Sequence, residues 1–100
     1  SESAVSLTGT AVDCTQGTYF YKTISGATTL TFTNPAASGD VTSFTLELTN
    51  ASTNVTWPAS VKWAGGTEPS LTATGVDILT FITRDQGTTW YGFASGLDMQ

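Results

Sequence analysis

Trp57 and Trp63 stand six residues apart in the stretch TWPASVKWAGGTEPSL, with Pro58 after the first and Gly65-Gly66 after the second. Rings at this spacing do one of two things. Exposed beside polar groups, they stack on the faces of sugars; turned inward, they fill a core. Any other chemistry here needs acids. Asp77, Asp85, Glu47 and Glu68 are the candidates for the carboxylate pair that cleaves glycosidic bonds. They are scattered through segments that read as solvent faces and turns, where a solvated surface acid is the ordinary outcome. Histidine, the side chain whose charge changes nearest neutral pH, is absent. Cys14 is the single cysteine, so no disulfide closes within the chain and a zinc site lacks its usual ligands. It reads as a small buried hydrophobe. No catalytic, cofactor or metal residue is assigned, and the chain is expected not to be an enzyme.

The elements that would hold these residues follow from composition. The chain has 100 residues, enough for one domain with its own core. Only 11% of residues are charged, less than half the usual share, while 21 Thr and 10 Ser make up almost a third of the chain. Threonine is β-branched and suits a pleated strand with its hydroxyl toward water. The net charge of −5 argues against nucleic acid, which requires clustered Lys and Arg, and against an anionic membrane surface. Ser1-Glu2-Ser3 reads as a mature or Met-processed start, and no apolar run reaches transmembrane length.

Period-two alternation appears in several places. In TSFTLELT (42–49), Phe44, Leu46 and Leu48 share one face. TTLTFT (28–33) repeats the pattern with Leu30 and Phe32. In TYFYKTI (18–24), Phe20 and Ile24 are expected inward, with Tyr19 and Tyr21 on the other face. VDILTFIT (76–83) is apolar on both faces and reads as a central strand. In TTWYGFA (88–94), Trp90 opposes Tyr91 and Phe93. The loop Arg84-Asp85-Gln86-Gly87 joins these last two strands as a hairpin, with Gly87 left-handed. Ser25-Gly26-Ala27 is expected to join two strands tightly, and Val5, Leu7 and Ala11 mark a weaker N-terminal strand. The expected fold is all-β: an antiparallel β-sandwich of seven to nine short strands, a jelly roll being one form of it, with no significant helix. Residues 1–100 form a single domain, with 1–4 as a flexible N-terminal arm.

Trp57 alternates in register with Val55, so its ring is expected in the core. Burying about 200 Å² of ring contributes on the order of 5 kcal/mol. Pro58 then ends the ladder, since it has no N–H. Trp63 stands at the mouth of the Gly-Gly loop and has the better claim to partial exposure; Trp90 is intermediate. The residues expected to make contacts are Trp63 with the loop Ala64, Gly65, Gly66, Thr67 and Glu68, and the arm Ser1, Glu2 and Ser3. All lie outside the strongest core pattern.

The segments YFYKTISGATTLTFTNPAASGDVTSFTLELTN and VTWPASVKWAGGTEPSLTATGVDILTFITRDQGTTWYGF resemble a module of tailed bacteriophages, over nearly the whole chain from about Asp13 to Phe93. That family carries a Trp-Pro segment ending in a second Trp, matched by Val55-Thr56-Trp57-Pro58 through Trp63. A Gly-Gly loop follows, matched by Gly65-Gly66 through Leu71, and then a hairpin matched by Asp85 through Gly92. Gln86 stands where the family often has Gly. The resemblance implies a structural protein of the virion, assembled in the bacterial host cytoplasm. It implies a homo-oligomer, a trimer above other states, joined to virion proteins such as the major capsid protein. Capsid decoration is the leading role, and the distal domain of a tail fibre or baseplate protein with a host-glycan role is the alternative. A carbohydrate-binding reading requires exposed aromatics beside polar groups on one face, with Trp63, Tyr91, or Tyr19 and Tyr21 as the stacking rings.

Overall fold

The computed structural model describes residues 3–100. Its strands are β1 (Val5–Ser6), β2 (Ala11–Asp13), β3 (Tyr19–Thr23), β4 (Thr28–Thr29), β5 (Thr31–Thr33), β6 (Thr42–Thr49), β7 (Val55–Thr56), β8 (Val61–Trp63), β9 (Val76–Thr83) and β10 (Trp90–Met99). The single helical element among the described residues is a 3-10 turn, Ala64–Gly66. Among the described residues no helix is long and apolar enough to cross a membrane. The chain is all-β, as threonine content and alternation require.

Six strands form one sheet in the order β1-β3-β6-β9-β10-β8. Two ribbons of two strands accompany it, β2 with β5 and β4 with β7. The expected antiparallel pattern is corrected: the large sheet is mixed. β6 with β9 and β9 with β10 run antiparallel, while β1 with β3, β3 with β6 and β8 with β10 run parallel. Both ribbons are parallel as well. Parallel neighbours need long crossovers; here two of the three in the large sheet carry ribbon strands, and the third, from β8 to β10, carries β9. Residues 24–41, between β3 and β6, contain β4 and β5; residues 7–18, between β1 and β3, contain β2.

Ser25-Gly26-Ala27 joins two strands, β3 and β4, as expected, and carries the chain from the large sheet to a ribbon. One further expectation changes: ten strand segments replace seven to nine. The segment 28–33 divides at Leu30, pairing with β7 before it and β2 after it. The 76–83 and 88–94 segments do form the expected hairpin, with Gly87 at φ 83° and Gln86 also left-handed at φ 57°.

Alternation decides the inner face of the large sheet. Phe20, Phe44, Leu46, Leu48, Leu79, Phe81 and Trp90 are buried there. The ribbons contribute Val12, Leu30 and Val55 to the same cluster, with Phe32 partly buried against it. Phe32 meets Phe44, Phe81 and Trp90 with ring centroids 4.9–5.3 Å apart. Phe81 also stacks on Phe44 at 5.3 Å and meets Trp57 at 5.2 Å. Each such pair adds roughly 0.5–1.5 kcal/mol beyond area burial. Ile24 is buried as expected, and so is Trp57, beside Val55. Trp90 is more deeply buried than its small neighbours suggested.

Candidate functional site

Trp63 ends β8 at one edge of the large sheet, and its ring turns toward the core. It meets Trp57 edge-on at 5.3 Å and Phe81 at 5.6 Å, and it is half-buried. Gly92 makes this possible. An added Cβ there would lie 2.7 Å from a Trp63 ring carbon, so the ring occupies the space a side chain would fill. Gly65 and Gly66 then take left-handed φ of 65° and 76° and lead the chain off the sheet. Ala64, Gly65, Gly66, Thr67 and Glu68 are all exposed.

The predicted contact residues do not form one site. Trp63, Ala64 and Thr67 line a shallow depression with Gly92 and Phe93. Glu68 lines a different one, beside Ser52, Trp57 and Leu71. Ser3 lies against Gln16, Gly17 and Thr18, just ahead of β1, at the edge of the sheet opposite β8. Ser1 and Glu2 lie outside the described residues.

The rings that do gather are on the outer face of the large sheet. Strand registers set three rows across it: Tyr19, Thr45, Thr80 and Phe93; Tyr21, Glu47, Ile78 and Gly96; Ser43, Ile82, Tyr91 and Lys62. Tyr21, Tyr91 and Phe93 are 40%, 46% and 52% exposed, while Ile78 and Ile82 are half-buried between them. The Tyr19 hydroxyl donates to Glu47 Oε1 at 2.5 Å. This bond to the carboxylate, reinforced by partial burial and the nearby negative charge, raises the phenol's pKa. Thr80 and Ser95 share a hydroxyl bond of 2.7 Å on the same face.

The acids do not converge. Glu47 belongs to the outer face and Asp77 to the inner one, opposite Leu48. Asp77 is fully buried, not a solvated surface acid. Desolvation pushes its pKa up, but the Thr72 and Asp98 backbone N–H groups and the Thr72 hydroxyl together outweigh it, and the carboxyl titrates below its ordinary value. Parity with Leu79 and Phe81 was the signal that placed it inside. Asp85 caps the hairpin loop, accepting from the Thr89 N–H and the Thr83 hydroxyl at 2.9 Å each, and these bonds lower its pKa. No group of three or more metal-ligating side chains gathers among the described residues.

No family model matches this chain, and no curated protein and no solved structure is significantly similar to it.

Cys14 packs half-buried against the core cluster and is unpaired. Burial, with the charge of Asp13 beside it, pushes its thiol up to about 11. The thiolate is the reactive form, so this environment lowers the reactivity of the cysteine.

Proposed function

We propose that this chain is a structural domain of a tailed-bacteriophage virion, first of all a capsid decoration protein. In this reading it is a β-sandwich whose second layer is made by the two ribbons. The observation that carries it is the far edge of β10. β8 covers this strand only from Trp90 to Gly92, and beyond that no strand pairs with it on that side among the described residues. The uncovered stretch presents Phe93, Leu97 and Met99, which are 52%, 41% and 54% exposed. Open edges of this kind recruit other chains, and soluble domains usually blunt them with charge. Asp98 is the one charged side chain here. Two register shifts against β9 fall in the same stretch, so the edge suits a shaped neighbour more than a generic strand.

The partners are further copies, a trimer first, and virion proteins such as the major capsid protein. Sedimentation tests the assembly: a trimer is expected, and a clean monomer at high concentration counts against it. Mass spectrometry of purified particles tests the location, and absence of the chain from them removes the virion reading.

A fibre-tip or baseplate role is the second reading. The aromatic outer face favours it, because a tip domain must meet a host surface.

A further inference from the structure

The geometry points to a saccharide platform on the outer face of the large sheet, with Tyr19 and Tyr21 of β3 and Tyr91 and Phe93 of β10 as stacking rings for a neutral oligosaccharide. This deepens the fibre-tip reading and rests on the open face, wherever in the particle the domain sits.

Three features fix the ligand class. The first is the alternation of rings and hydroxyls. β3 and β10 lie three strand spacings apart, about 14 Å. The surface between them is floored by Thr45 and Thr80, with Ile78 and Ile82 alongside. A sugar ring offers C–H faces to an aromatic and hydroxyls to a threonine, so an extended chain of a few rings satisfies both at once. Sites of this composition, apolar with a few placed polar groups, are what small-ligand recognition uses. The second feature is area. Tyr21, Tyr91 and Phe93 together expose roughly 300 Å² of ring surface. A second protein copy needs about 800 Å² per partner for a stable contact. These three exposed rings supply less than half of that area, an amount that suits a short glycan.

The third feature is charge. Glu47 is the one acid in the three rows, and Tyr19 already bonds it; Lys62 is the one cation, at the rim. The chain as a whole carries −5. A polyanion meets repulsion, whereas a neutral saccharide does not.

The test is titration of the full chain with maltohexaose, laminarihexaose and mannohexaose, followed by amide chemical shifts. A hyaluronan hexasaccharide is the acidic control. Binding by at least one neutral hexasaccharide is expected, with shifts confined to β3, β6, β9 and β10 and the acidic control weaker. Tyr91→Ala and Phe93→Ala should each weaken binding about tenfold. Thr29→Ala, an exposed change on the ribbon strand β4, should leave it unchanged. These ring residues are partly exposed, and the fold of each variant is checked by its spectrum. Four results overturn the proposal: no shift with any neutral hexasaccharide, stronger binding of the acidic one, binding indifferent to Tyr91 and Phe93, or self-association through this face without sugar. None of them bears on whether the chain is found in particles, which mass spectrometry decides separately.

Discussion

The buried carboxylate of Asp77 holds Thr72 by two bonds of 2.7 Å, one from its hydroxyl and one from its backbone N–H. A third, from the Asp98 N–H at 2.9 Å, ties in the end of β10. One side chain on β9 thus fastens both the loop that precedes its own strand and the far end of its hairpin partner. No cation shares this site in any of those bonds; the donors alone keep the acid charged.

Asp77→Ala leaves three donors without their acceptor in a closed place. The expected cost is about 2–3 kcal/mol, from unsatisfied buried groups, and it is read as a lower denaturant midpoint. The pH dependence has a definite sign. A carboxyl titrating lower in the folded state than in the unfolded chain stabilises the fold above about pH 4. That stabilisation is lost as pH falls through the folded-state value. Wild type should therefore lose stability with acid below about pH 4, and Asp77→Asn should show a flatter acid limb. Equal slopes for the two proteins would show that Asp77 does not carry the effect.

Gly92 and Trp63 form a second dependence of one residue on another. Gly92→Ala places a methyl group 2.7 Å from the ring and forces the indole off Phe81 and Trp57. Overpacking of this kind costs about 1–3 kcal/mol. Tryptophan emission should shift to the red in the folded variant, because the Trp63 ring moves toward water. Unchanged emission and stability would mean the ring has room to slide.

Cys14 should react slowly with iodoacetamide. Raising the thiol from 9.0 to about 11 leaves about a hundredth of the usual thiolate at neutral pH. Denaturant should restore ordinary reactivity, and alkylation of the native chain at the rate of a free thiol would contradict the packing described.

Much of this fold was legible in the sequence, and the limits have physical causes. Parity of side chains identified the inner residues of β6 and the inward Phe20 and Ile24, and Gly87 marked the hairpin from Thr83 to Trp90; β9, apolar on both faces, left its inner side open. Parity is the same for parallel and antiparallel partners, so it could not reveal that β3 lies parallel to β6. That direction follows from a crossover through β4 and β5, and a short link such as Ser25-Gly26-Ala27 does not show that the strands it joins belong to different sheets. Asp77 was placed on the surface on account of its charge, although it alternates with Leu79 and Phe81. For the outer face, Tyr19 paired with Tyr21 and Tyr91 with Phe93 in the sequence. That the two pairs look out from one sheet depends on strand order, which local pattern does not carry. Trp63 drew attention as a ligand ring, and a glycine 29 residues later turns out to be what admits it to the core.

The most direct measurement is imaging of an intact particle at a resolution that traces strands. The account predicts density for this domain on the virion with a neighbouring subunit laid along Leu97 to Met99. Particles in which the domain is found with that edge facing open solvent, or in which it is not found at all, would contradict it.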